Sequence, residues 1–394
     1  MVSFVSISTG VFFVSIMLIG TSHAAPPLSE APSHLSQDSA GNPGNITLPS
    51  FIASRTRAVP LHLENTDLDS ETENMLENIE WFQQSGIDYT GMVQRGDVKT
   101  LNRMILDLPE NIRAASEKNL QSRLDANLGN SMILASPSQL TDHIYYAGVA
   151  ATAYCRAVTG LGLWTCKNCQ TFVPDGQMVY RFNTPVHDTT GFILKSDSQK
   201  TINLVFRGTN SLRQTILDLV MIKKDYTPVI GTQVHAGFYN SFLEVKDEYF
   251  PYLQREIILH PDYKVVVSGH SLGGVQALLA ALDLYQRDSR FNPKNLSVYT
   301  VGSPRVGDAN FANYVKSTGI PYYRSVHDRD VAPHVPAQEL GYLHAGIEIW
   351  DLPGYGAHIC TSELESPYCS NSIAPATHII DHLTYYGINE GLCL

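Results

Sequence analysis

The chain has 394 residues, 43% hydrophobic and 16% charged, with 28 Gly and 21 Pro. That composition is globular, and the length suits one large domain plus extra segments. A formal net charge of -11 argues against a nucleic-acid partner, which requires a basic face.

Residues 1–25 read as a secretory signal peptide. Val11-Phe12-Phe13-Val14-Ser15-Ile16-Met17-Leu18-Ile19 is an apolar core too short to span a bilayer, and Ser22-His23-Ala24 is a small-x-small cleavage site. No Lys or Arg precedes that core, so the amino terminus supplies its only positive charge. Secretion makes the six cysteines, all between Cys155 and Cys393, a set of three disulfides. Cys166-x-x-Cys169 has no second cysteine pair or histidine cluster beside it, so no metal is expected there.

Residues 26–126 change character. A loop-like run of Pro, Ser, Asn and Gly reaches Pro49, a helical stretch follows near 71–81, and Met104-Ile105-Leu106-Asp107-Leu108 is stopped by Pro109. Without cysteine and with little core of its own, this segment reads as a propeptide. The main domain takes 127–394. Leu140, Ile144, Val149, Ala153 and Val158 predict a helix over 138–158 that stops at Gly160. Strands are predicted at 178–182, 191–194 and 201–206, then a helix over 238–258. Further on come strand 296–301, helix 309–315, and strands 322–326 and 346–350. Strands alternating with helices imply a parallel or mixed sheet covered on both faces.

Between these lies Tyr263-Lys264-Val265-Val266-Val267-Ser268-Gly269-His270-Ser271-Leu272-Gly273-Gly274, followed by an Ala- and Leu-rich run to residue 287. It reads as strand, sharp turn and helix, with Ser271 at the tip as nucleophile. A serine hydroxyl needs a histidine to take its proton and a carboxylate to orient that histidine. In folds with this turn the chain order is serine, acid, histidine. A predicted strand ends in the polar loop His327-Asp328-Arg329-Asp330-Val331-Ala332-Pro333-His334, where Asp328 and Asp330 both qualify as the acid. His334, four residues past Asp330, is expected to fix the loop; spacing does not choose among His358, His378 and His382. His378 and His382 share a helical face, but no third ligand accompanies them and no metal is expected.

The oxyanion formed on attack needs fixed donors. One is expected to be the backbone N–H of Leu272, the other to come from Arg207-Gly208-Thr209, where Thr209 offers an N–H and a hydroxyl. Directly after it, Leu212, Ile216, Leu219 and Val220 form one apolar helical face. Its position beside the oxyanion loop suggests a lid.

With Val205-Phe206-Arg207-Gly208-Thr209, Val234-His235-Ala236-Gly237-Phe238, Gly269-His270-Ser271-Leu272-Gly273-Gly274, Pro304-Arg305-Val306-Gly307, 329–336 and Asp381-His382-Leu383 in order, the chain resembles the class 3 lipases of filamentous fungi, the Rhizopus/Rhizomucor type, from about residue 145 onward. The resemblance implies an α/β-hydrolase fold, a central mostly parallel sheet flanked by helices, with a short helical lid at about 211–220. It implies Ser271 as nucleophile, Asp330 as acid, His382 as base, and Thr209 and Leu272 as oxyanion donors. Asp218 matches a lid residue that orients the oxyanion hydroxyl when the lid, with Leu212, Ile216 and Leu219, is open. The implied disulfides are Cys155–Cys393, Cys166–Cys169 and Cys360–Cys369. The implied activity is triacylglycerol hydrolysis at an oil–water interface by a secreted monomer, without cofactor or metal and without an integral membrane span. A feruloyl esterase, a phospholipase A1 or a lipid-binding protein without turnover are the rival readings. His378 stands where relatives carry a small polar residue, and Leu212 and Thr215 stand where they can carry aromatic ones. The prosegment lacks a Lys-Arg pair, and Asn45 and Asn295 sit in glycosylation-type triplets.

Overall fold

The structure is a computed structural model, and it describes residues 120, 124–125, 128–129, 131–209, 222–336, 338–372, 381–391 and 393. In chain order the domain begins with β1 (Met132–Leu134), α1 (Pro137–Ala151), α2 (Arg156–Thr159), α3 (Lys167–Phe172), β2 (Gln177–Asn183), β3 (Thr190–Ser196) and β4 (Thr201–Phe206). β5 (Lys223–Asp225), β6 (Gln233–His235), α4 (Ala236–Leu259), β7 (Lys264–His270), α5 (Leu272–Arg287) and β8 (Leu296–Val301) follow. The rest is β9 (Gly307–Asp308), α6 (Ala309–Ser317), β10 (Tyr322–His327), β11 (Tyr342–Leu343), β12 (Ile347–Leu352), β13 (Gly356–Cys360), β14 (Thr384–Tyr385) and β15 (Ile388–Asn389).

Nine strands make one sheet in the order β1-β13-β12-β10-β8-β7-β4-β3-β2. The five strands from β4 to β12 are parallel, and antiparallel strands extend both edges. The chemistry of the residues explains the burial. β4 and β7 are runs of β-branched and apolar residues, which suit a strand covered on both faces. Their alternation divides the core. Ile202, Leu204, Phe206, Val265 and Val267 pack beneath α4 and α5 with Tyr249, Leu253 and Leu279. Val205 and Val266 face the other way, onto Tyr145, Tyr146, Val149 and Phe172 of α1 and α3. α5 is apolar nearly all round, and twelve of its residues are buried, so it is the central helix of its layer.

The helix expected over 138–158 is broken. It ends at Ala151, passes through a tight turn at Thr152–Tyr154, and restarts as α2 after Cys155 takes an extended backbone. Cys155 is bonded to Cys393, 238 residues on, a constraint that helical periodicity does not record. The strand expected at 346–350 runs over β12, and β13, β1 and α3 had no forecast. Cys166 is joined to Cys169 and Cys360 to Cys369. Leu120 and Leu124 are buried with Met132, Val326, Trp350 and Leu352, so the end of the predicted propeptide range packs on the domain. The Asn295 side chain closes a turn, accepting from the Asn292 N–H at 3.0 Å and donating to the Arg290 carbonyl at 2.9 Å.

The bond from Cys155 to Cys393 ties α2 to the C-terminal segment. Replacing both cysteines by serine is expected to destabilise the domain by roughly 2–5 kcal/mol, read as a shift in the denaturant midpoint. A loss below about 1 kcal/mol would show that other contacts already hold the terminus.

Candidate active site

The parallel strands end in register. Phe206 of β4 lies beside Gly269 of β7, His270 beside Val301 of β8, and Ser325 of β10 beside Val301. The loops leaving β4, β7, β8 and β10 therefore meet at one edge, the carboxyl edge where open α/β sheets place their sites.

Ser271 joins β7 to α5 with φ 57 and ψ -129, a conformation costly for a non-glycine residue. The surroundings hold it there: the Ser271 N–H donates to the Val301 carbonyl at 2.8 Å, and its own carbonyl accepts from Gly274 at 2.9 Å. Strand and helix approach so closely that a Cβ on Gly269 would lie 2.4 Å from the Gly273 backbone. The first N–H groups of α5, Leu272 among them, have no acceptor within the helix and carry its positive dipole end.

The loop after β4 presses on this turn. A Cβ on Gly208 would lie 2.2 Å from the Tyr154 hydroxyl and 3.0 Å from the Ser271 Cβ. Only glycine lets this backbone come so near the serine, and Thr209 follows it directly.

Asp330 and His382 meet from 52 residues apart: the Asp330 Oδ2 lies 2.7 Å from the His382 Nδ1, and both side chains are fully buried. The carboxylate is satisfied further by the Ala332 N–H on Oδ1 at 2.8 Å and by the Tyr385 hydroxyl on Oδ2. Burial, then the Asp330 charge, keep the Tyr385 hydroxyl protonated, with its pKa well above the ordinary phenol value. On the far side of the ring, His382 Nε2 is buried and has no hydrogen-bond partner among the described residues.

His270 completes the frame. Its Nε2 lies 2.8 Å from the His382 carbonyl oxygen and its Nδ1 2.6 Å from the Tyr154 hydroxyl, with its ring 4.4 Å from that of His382. Burial pushes this imidazole well below its usual pKa, so it stays neutral. The neutral ring then donates from Nε2 to the carbonyl and accepts from the tyrosine.

The other candidates fall elsewhere. Asp328 sits two residues from Asp330, with its carbonyl taken by the Trp350 indole N–H at 3.0 Å. His334 fixes the loop, its Nδ1 2.8 Å from the Asp330 carbonyl oxygen. His358 lies on β13 opposite Trp350, away from the serine-bearing loop. His378, and the lid residues Leu212, Ile216, Asp218 and Leu219, lie outside the described residues. Two groupings among the described residues have metal-ligand spacing, but each contains cysteines that are disulfide-bonded. Sequence reasoning missed Tyr385 and Tyr154. Tyr385 stands three residues after His382, one tight turn away, which was the only available sign.

The packing of Gly208 has a direct consequence. Gly208→Ala is expected to push the loop off the serine and lower kcat by about 10², the cost of misplacing a catalytic group by about 1 Å. Steady-state rates on a soluble ester check it, and an unchanged kcat would show that the loop can yield.

Comparisons with known proteins place the chain among lipases. Residues 203–340 match the family Lipase (class 3). A lipase of Rhizopus niveus is 48% identical over 398 residues, covering 100% of both chains. The Rhizomucor miehei lipase propeptide complex superposes with a TM-score of 0.65 at 45% identity, over 67% of this chain and 85% of that one. A solved triacylglycerol lipase whose catalytic centre is formed by a serine protease triad superposes with a TM-score of 0.64 at 44% identity, over 67% of this chain and 100% of that one. With this fold, this edge and full-length identity near one half, the chain belongs to the class 3 lipase family.

Proposed function

We propose that the chain is a secreted triacylglycerol lipase that cleaves acylglycerol esters at a lipid–water interface, with Ser271, His382 and Asp330 as its triad. The observation that carries the reading is the pairing of Asp330 with His382 Nδ1, which leaves Nε2 without a hydrogen-bond partner among the described residues, on a ring 4.4 Å from that of His270, the residue before Ser271. Nε2 takes the Ser271 proton as the oxygen attacks the ester carbonyl, and Asp330 stabilises the imidazolium. The Leu272 N–H and Thr209 hold the tetrahedral oxyanion, aided by the dipole of α5. The imidazolium returns its proton to the leaving glyceride oxygen, leaving an acyl-serine. Water then attacks that ester with His382 again as base, and the fatty acid departs.

The stretch at about 211–220, with Leu212, Ile216 and Leu219 on one apolar face, acts as a lid that opens at the interface, and Asp218 is its residue that orients the oxyanion hydroxyl. Support comes from its position between Thr209 and the strand β5, where Lys223 Nζ donates to the Leu340 and Gly341 carbonyls at 2.9 and 3.2 Å. Residues 1–25 direct secretion and 26–126 are a propeptide. The burial of Leu120 and Leu124 on the domain supports a prosegment that assists folding. No described helix is long and apolar enough to cross a membrane. One chain supplies the whole triad, which supports action as a monomer.

Ser271→Ala is expected to lower kcat by about 10⁶ and to abolish labelling by a serine-directed organophosphonate. Thr209→Ala is expected to cost about 10² to 10³ in turnover. Labelling of the parent at another serine would overturn the assignment. Hydrolysis of a short-chain triglyceride is expected to rise sharply past its solubility limit; a smooth curve through that limit would count against the lid.

A further inference from the structure

One charged pair outside the triad sits where the acid's loop meets the segment that bears the base. His327 ends β10 and stands opposite Asp351 of β12 in the parallel register. Its Nδ1 is 2.9 Å from the Asp351 Oδ2, and the two side chains are 14% and 19% exposed. The same carboxylate oxygen accepts the backbone N–H of Tyr386 at 3.2 Å. Asp351 also holds the acid loop, because its carbonyl accepts the Asp328 N–H at 2.9 Å. The His327 carbonyl accepts the Asp330 N–H at 2.9 Å, closing the turn that carries the acid. The His327 ring packs 5.6 Å from that of Tyr385, whose hydroxyl donates to Asp330. Two further bonds join the same segments: Arg329 N–H to Asp381 at 3.2 Å, and the Ser325 and Tyr386 hydroxyls at 2.7 Å.

We propose that His327 and Asp351 are positioning residues for the triad, an ion pair that locks the loop carrying Asp330 to the segment carrying His382, Tyr385 and Tyr386. Neither touches substrate. They act through Asp330 and Tyr385, and the inference rests on the triad assigned above. Truncating either partner leaves a part-buried charge without its counter-charge, which frees the 327–330 turn from the Tyr386 backbone.

The pair requires a protonated His327. Burial opposes that charge, but the hydrogen bond and charge of Asp351 outweigh it, and the imidazole is raised to about 9. The charged groups facing it are Asp351 from β12, Asp381 from the turn before β14, and Asp328 from its own loop; the phenols of Tyr385 and Tyr386 flank it from β14 and the turn after it. Because the folded value lies above the ordinary 6.5, the contribution is whole below about pH 6.5 and is lost as pH rises through about 9.

The test uses the full chain and a soluble p-nitrophenyl ester, with kcat and KM followed against pH for the parent, Asp351→Asn, Asp351→Glu and His327→Gln. Asp351→Asn is expected to lower kcat about tenfold with KM little changed, within the ~10² that misplacement can cost. Its alkaline fall near pH 9 should be lost, because no ion pair remains for deprotonation of His327 to break. Asp351→Glu should restore the limb, and His327→Gln should lose it while keeping the lower kcat. Melting curves and the NMR titration of His327 are taken alongside, so that a poorly folded variant still reports the ring's pKa through Asp351→Glu. Alkaline limbs that coincide in all four proteins, or a His327 ring that titrates near 6.5 in the parent, would overturn the proposal. Organophosphonate labelling separates the two readings. A label away from Ser271 sinks the triad assignment, whereas a label on Ser271 with coincident limbs sinks only the positioning role.

Discussion

The structure depends on one close approach, that of α5 to the ends of β7 and β4. Ser271 takes φ 57, which by itself costs of order 1–3 kcal/mol. That cost is met because the turn is fixed from every side. β7 and β8 are bonded along their length, the Val301 carbonyl holds the Ser271 N–H, and the Gly269 and Gly273 backbones leave no room for a Cβ. What the strain achieves is direction: the serine side chain stands at the helix N-terminus instead of lying in the strand's pleat. The layer of Val, Leu and Ala beneath it, buried on both sides of the sheet, is what makes the strain affordable.

A second constraint is electrostatic. Asp330 is a fully buried carboxylate, and a lone charge there would cost several kcal/mol. It is held by His382, by Tyr385 and by the Ala332 N–H, so two of its three described partners belong to one short C-terminal segment. Charge satisfaction and tautomer selection are the same event. The bond that makes the buried carboxylate tolerable also takes up Nδ1 of His382 and leaves Nε2 without a hydrogen-bond partner among the described residues. His270 adds the mirror contact, with its neutral ring holding the His382 carbonyl.

Legibility in the sequence followed the range of the physics. The serine turn was readable because its causes are local: glycines two residues either side of Ser271, a β-branched run before it and an Ala/Leu run after it. The alternating elements were readable for the same reason, since periods of 2 and 3.6 are written residue by residue. The acid and the base were not separable by spacing, because Asp328 and Asp330 share a loop and the partner histidine lies 52 residues away. The break at Cys155 depends on a residue 238 positions on, and no helical pattern carries that. β1 is a three-residue strand at the edge of the sheet, too brief for alternation to register, and β13 beside it mixes Gly356, Ala357 and His358 with only Ile359 and Cys360. The pairing of His327 with Asp351 arises only when β10 and β12 come into register, and the Tyr385 contact only when the C-terminal segment meets the loop after β10.

These two constraints divide the site into halves with different mechanical character. The serine half is held by the backbone: strand register, helix start and glycine contacts, none of which titrates. The other half is held by side chains, with Asp330 and Asp351 bonded to His382, Tyr385 and Tyr386 of the C-terminal segment. The backbone of Ser271 and Leu272 is therefore set by strand register and helix start. The orientation of His382 instead depends on a network of charged and hydroxyl groups, closed at the chain's end by Cys155 and Cys393. Under the proposed triad, a change in the charge of the loop at 327–330 acts on the Asp330–His382 pair and leaves the backbone bonds of the serine turn as they are.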